Sequence, residues 1–196
     1  MRNSYYYLIA SLPYLSFQKP QALSISEFSL RCNSCLNRND VDLIQCILSG
    51  NLNKAAKSLK VVGEWLSWDI ELRGKLAGLR AKAKGRDESP DLTEPGAKAL
   101  NYNLESHKLA MDIFSAASPM DADELHESAR WRMIEALEHG QYFNLEWLAL
   151  YCLKLKIMER RESFDTEAGM DRVAVILTAA KGAYGTGKDE ELSDAA

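Results

Sequence analysis

The chain has 196 residues, 46% of them hydrophobic and 27% charged, with a formal net charge of −4. Those proportions exclude wholesale disorder, and the length permits one large helical core or two small ones. The acidic balance excludes a protein built to coat nucleic acid, and four cysteines in a chain this long exclude a disulfide scaffold.

Residues 1–23 read as an irregular, aromatic-rich lead punctuated by Pro13 and Pro20. The apolar run Tyr5 to Ala10 is followed at once by Ser11, Pro13 and Ser16, so it makes no targeting segment. Ser24 or Ser26 can cap a first helix to about Leu36, and Asp40 a second, ended by Gly50, with Val41, Ile44, Ile47 and Leu48 on one face. Asn51 or Asn53 opens the longest helical pattern, to about Lys84. Leu52, Ala55, Ala56, Leu59, Val62, Leu66 and Ile70 keep the three-and-four spacing of a buried stripe, and Trp65, Trp68, Leu72, Leu76 and Leu79 form a second. Asp69 with Arg73 and Glu71 with Lys75 are favourable i,i+4 pairs, while Gly63, Gly74 and Gly78 are places for a bend.

Gly85 to Gly96, rich in proline, glycine and charge, reads as a linker or exposed loop. A helix from about Ala97 to Ala117 follows, with Leu100, Leu104, Leu109, Ile113 and Phe114 as its stripe. Ser118-Pro119 with Asp121 is a strong start signal for a helix to His139, ended by Gly140, with Leu125, Ala129, Met133 and Leu137 inward. Asn144 caps the next helix, to about Arg161. Eleven of its 14 positions from Leu145 to Met158 are apolar on all sides, too short a run for a bilayer but suited to the centre of a bundle. Asp165 caps a last helix carrying Met170, Val173, Ala174, Leu177 and Ala180, and the tail from Gly182 should fray. No segment alternates with period two. The expectation is an all-α bundle of six to seven helices with one long central helix. It forms a single domain, divisible into sub-bundles 1–84 and 97–182, and is cytoplasmic.

Candidate sites are few. Cys32-Asn33-Ser34-Cys35 has metal or redox spacing, but Cys46 and Cys152 supply no second C-x-x-C, and buried structural thiols are the plainer reading. Gly185-Thr186-Gly187-Lys188 echoes a phosphate loop without its strand, its full spacing or its hydroxyl residue. His107, His126 and His139, with Glu127 and Glu135 nearby, read as solvated helix surface. Arg73, Lys75, Arg80, Lys82, Lys84 and Arg86 form a basic run without an intervening acid. That run, with Trp65, Trp68, Arg130 and Trp131, is the best candidate for partner docking. It competes with two plainer roles, a solvated helix face for the charges and core for the tryptophans. No catalytic residue, cofactor or metal is assigned.

Several landmarks together resemble a known family. They are the lead Tyr5-Tyr6-Tyr7-Leu8-Ile9-Ala10-Ser11-Leu12-Pro13, the pairs Leu72-Arg73 and Arg130-Trp131, and Tyr142-Phe143-Asn144. Tyr151, Lys154-Leu155 and Glu159-Arg160 complete the set. The chain is similar to a small bacterial family encoded beside V-type (A-type) ATPase subunits. That family stands in for the all-helical C subunit, called d in eukaryotes, which links the central stalk to the membrane ring. Asn144 stands where an aspartate cap is expected, and the chain is shorter than a C subunit. The resemblance implies a non-catalytic subunit or assembly factor whose partners are the stalk subunits and the ring, held at the cytoplasmic face of the membrane. The alternative is a free-standing helical adaptor or regulator. An enzyme or metal protein using Cys32, Cys35, Cys46 and a histidine is a third reading.

Overall fold

A computed structural model describes residues 3–85 and 103–164, together with residues 176 and 178. Among them the secondary structure is entirely helical: α1 (Asn3–Ser11), α2 (Ile25–Cys35), α3 (Arg38–Leu48), α4 (Leu52–Ala56), α5 (Lys60–Ala83), α6 (Asn103–Phe114), α7 (Pro119–Glu138) and α8 (Leu145–Glu162). The all-α bundle expected from periodicity is what forms. The predicted loop beyond Gly85, the helix capped by Asp165 and the Gly185–Lys188 segment lie outside the described residues. Residues 176 and 178 are helical.

The chain divides into two compact units, Met1–Glu159 and Arg160–Ala196. The division falls inside α8 rather than at the predicted 85–96 loop, because α5 and α6, on either side of that loop, pack directly on each other. In the second unit, the Ser163 hydroxyl donates to the Arg160 carbonyl at 2.6 Å, and the Arg160 guanidinium lies 5.7 Å from the Phe164 ring centre.

The lead is not irregular. Tyr5, Leu8, Ile9 and Leu12 fall at i, i+3, i+4 and i+7, and α1 carries the first three before Pro13 ends the run. Leu8 is buried, the Tyr5 hydroxyl bonds Asp40, and the Ser11 carbonyl accepts from Arg31 at 2.9 Å. The Pro13 carbonyl accepts from the Tyr151 hydroxyl at 2.9 Å, tying the segment to α8. The α3 cap is Asn37, whose side chain accepts from the Asp40 amide at 3.0 Å; Asp40, the predicted cap, sits one turn inside.

The long helix expected from Asn51 is two helices. Asn51 caps α4, the chain leaves helical geometry at Leu59, and α5 runs 24 residues, about 36 Å. The break lies away from Gly74 and Gly78, and its cause is tertiary. Leu59 has no capping side chain, and the carboxylate of Glu146, in the first turn of α8, accepts from the amides of Lys60 at 3.1 Å and Val61 at 3.2 Å. Gly63 then passes the Ala56 carbonyl so closely that a Cβ there would sit 3.3 Å from it. Glu146→Ala orphans two amides and is expected to cost about 1–2 kcal/mol, read as a lower urea midpoint.

At the centre lies α8, where ten of 18 residues are buried. It meets α2 through Phe28 against Tyr151, with ring centres 5.5 Å apart. It meets α3 through Lys156 Nζ donating to the Leu48 carbonyl at 2.7 Å, and α7 through Lys154 and Glu138 at 2.6 Å. Contacts on every side explain why its hydrophobic residues need no polar face. The α7 stripe is rotated from the predicted one: Ala129 and Met133 are buried with Glu127, Trp131 and Ile134, Leu137 is half-buried, and Leu125 is 37% exposed.

Candidate functional site

The second α5 stripe is the deeper one, and it carries an acid. Trp65, Asp69, Leu72 and Leu76 follow at i, i+4, i+7 and i+11, and all four are buried, with Asp69 only 1% exposed. Across from it, Glu127 and Trp131 sit inward on α7 with Arg130 beside them. A carboxylate in an apolar setting is stable only when paired, and the pairing here is dense. Asp69 Oδ2 meets Arg73 Nη2 at 2.8 Å, and Glu127 accepts from Arg130 Nη1 at 3.0 and 3.3 Å. Arg130 Nε comes within 3.0 Å of Asp69 Oδ1, but at an angle that makes no hydrogen bond. The Arg130 guanidinium also lies over the Trp65 ring, 5.0 Å from its centre.

His126 flanks this cluster, 4.0 Å from Asp69 Oδ1 and 4.0 Å from Glu127 Oε1, both beyond hydrogen-bond range. Its pKa is lowered from 6.5, first by burial and then by the Arg130 charge, against opposing pulls from Asp69, Glu127 and Asp123. A lowered folded pKa means the unfolded chain binds the proton first. The histidine therefore leaves stability intact above about pH 6.5 and erodes it as pH falls below that value. Comparing urea midpoints from pH 7.5 to 5.5 checks this: the decline on acidification should be shallower in His126→Gln than in the parent.

Beside the cluster opens a cleft of about 420 Å³. Its walls are the turn and first residues of α4 (residues 50–53), then Leu66, Asp69, Ile70 and Arg73 of α5, and Arg130 of α7.

Of the predicted docking residues, the structure brings Trp65, Arg73 and Arg130 together here and separates the rest. Trp65 and Trp68 are core residues. Trp131 is buried too, packed on Phe17 at 5.7 Å and under Lys154 at 5.0 Å, with its indole N–H donating to Glu135 at 2.8 Å. Lys75 is held by Glu71 and Ser106. Arg80 and Lys82 stand exposed in the last turn of α5, where cations suit the helix dipole. The reading of His126 and Glu127 as solvated surface is corrected: both are drawn into the ion cluster, whereas His107 and His139 are exposed. All four cysteines are free; burial, with a smaller contribution from Cys35, pushes the Cys32 thiol up to about 12. Among the described residues, no group of three or more His, Cys, Asp or Glu side chains is placed to hold a metal.

A second feature was not legible as a site. The Tyr6 ring packs on Phe143 at 4.9 Å and on Tyr7 at 5.8 Å, joining α1 to the turn before α8. Tyr6, Tyr7 and Phe143 are 54%, 68% and 48% exposed, and the adjoining Tyr142 is exposed as well. Phe143 holds φ +50°, a conformation costly for a bulky residue that persists only where the surrounding structure over-determines the backbone. Both segments belong to the landmarks of the family resemblance.

The described residues thus define an all-helical protein with an exposed aromatic patch, a charged cleft and no helix long and apolar enough to cross a membrane. No family model, curated protein or solved structure matches the chain.

Proposed function

We propose that this chain is a non-catalytic, protein-binding subunit or assembly factor of a bacterial V-type ATPase, similar in role to the C (d) subunit, acting at the cytoplasmic face of the membrane. The observation that carries the reading is the Tyr6–Tyr7–Phe143 patch. Contiguous exposed aromatics on an ordered scaffold mark protein contact surfaces, and aromatic side chains carry much of the energy in such contacts. The patch joins two of the segments on which the family resemblance rests. Its partner would be an apolar surface of the central stalk or of the membrane ring.

Affinity purification of the tagged chain from native membranes tests this. Stalk or ring subunits should co-elute with the parent and be lost with Tyr6→Ser/Phe143→Ser, whose thermal midpoint should stay close to the parent's because both rings are solvent-facing. Consistent absence of ATPase subunits from the parent pull-down overturns the assignment. Retention of an unrelated protein through the same two rings would instead make the chain a free-standing adaptor.

A further inference from the structure

We propose that the cleft between the α4 turn, α5 and α7 binds a small organic carboxylate, with its anionic end on Arg73 and Arg130 and its apolar body along Leu52, Leu66 and Ile70. The volume of about 420 Å³ falls in the range of small-molecule sites and exceeds what a lone ion fills. The lining supplies both kinds of group that such a ligand requires, the guanidiniums of Arg73 and Arg130 and the aliphatic side chains of Leu52, Leu66 and Ile70.

Each guanidinium presents five N–H donors in a planar fork that matches a carboxylate. The protein uses only part of both forks. Arg73 gives Nη2 to the Asp69 carboxylate and Nε to its backbone carbonyl, and Arg130 gives Nη1 to Glu127. Asn51 accepts from the Lys54 amide through Oδ1, which leaves its NH₂ as a further donor at the rim. Four buried polar atoms in and beside this cluster make no hydrogen bond, Arg130 Nε, Asp69 Oδ1, His126 Nε2 and Trp65 Nε1, although the first two lie 3.0 Å apart as an ion pair. Polar groups buried without a hydrogen bond are costly, and they need a reason.

Donor geometry selects the ligand class. Arg73 and Arg130 are offset by Asp69 and by Glu127, which pairs with Arg130 without lining the cleft, so the cluster is close to neutral and what it offers is spare guanidinium N–H donors. A near-neutral cluster with donors to spare suits a monoanion better than a phosphate dianion. Asp69 lines the cleft but is 1% exposed and already engages both arginines, so it acts as a positioning residue.

Titrating the ¹⁵N-labelled full-length chain with hexanoate, with hexylamine and inorganic phosphate in parallel, tests the site. Hexanoate should shift the amides of residues 50–53 and the Trp65 indole N–H saturably. Hexylamine should not, and phosphate should do so more weakly. Arg73→Gln, at a half-exposed side chain, with the amide still able to donate to Asp69 and the spectrum remaining that of a folded chain, should weaken hexanoate about tenfold or more, the scale of a lost charge-assisted contact. Arg130→Gln should do the same wherever its spectrum remains that of a folded chain. No saturable shift at millimolar hexanoate, an unchanged response in Arg73→Gln, or tighter binding of phosphate each overturns the proposal. The isolated chain suffices, so the result is independent of whether ATPase subunits co-purify.

Discussion

Arg130→Ala is expected to lower the unfolding free energy by about 3–5 kcal/mol, a large share of the roughly 5–15 kcal/mol that a domain commonly has. The arginine donates to Glu127 at 3.0 Å, a histidine stands 4.0 Å from the same carboxylate, and the arginine is one of two guanidiniums on Asp69. Glu127 and Asp69 are 0% and 1% exposed, so truncation leaves negative charge in a dry interior with half its compensation gone. The ring of Trp65 would also lose its cation. Urea denaturation gives the measurement. The mechanism makes a further demand: in the double variant Arg130→Ala/Glu127→Ala, removing the stranded charge should recover part of the loss, so the two effects are not additive. A loss below about 1 kcal/mol for Arg130→Ala, the scale of an exposed ion pair, would show the cluster to be solvated.

Leu150→Ala is the second large expectation, about 2–5 kcal/mol, with the value set by how far the surrounding helices can close on the cavity. Leu150 is 0% exposed at the middle of α8, where neighbours approach from several sides. Leu125→Ala is the internal control. Periodicity places Leu125 on the inward stripe of α7, yet it is 37% exposed, so its loss should stay within about 0.5 kcal/mol. Equal losses at the two leucines would mean that the bundle does not pack as described.

These two leucines show what the sequence makes legible. Local signals read true: the Ser118-Pro119 start of α7, the Gly50 and Gly140 terminators with φ of +83° and +85°, the Asn144 cap, and the central place of α8 from its all-round hydrophobicity. What failed depended on partners distant in sequence. The α4–α5 break is made by Glu146, which no window around Leu59 contains. Helix α1 was masked by the weight given to Pro13, although the Tyr5, Leu8, Ile9 and Leu12 spacing was there to see. On α7 the stripe is legible at Ala129 and Met133 but not at Glu127, since polarity alone points an acid outward, whereas one three residues before an arginine and four before a tryptophan can also face in.

The candidate site was half legible for the same reason. Trp65, Arg73 and Arg130 stand out by residue type, whereas spacing gives Asp69 only as one member of an i,i+4 pair with Arg73. That pair does form, but the acid falls on the Trp65–Leu72 stripe, and an acid on an apolar stripe is the signal that could have found the cluster. The aromatic patch needed the meeting of residues 6 and 143, which spacing cannot supply.

The clasp that Glu146 places on the start of α5 also bears on biosynthesis. A growing chain makes Lys60 and Val61 long before the residue that satisfies their amides, 86 and 85 positions later in the sequence. While the ribosome is still adding α6 and α7, the opening turn of α5 lacks the carboxylate that will bond it, and the Trp65 ring lacks the α7 arginine that will lie over it. The bundle therefore closes late, by joining segments far apart in order of synthesis. The half-made protein is correspondingly the form most dependent on chaperones and most exposed to proteases.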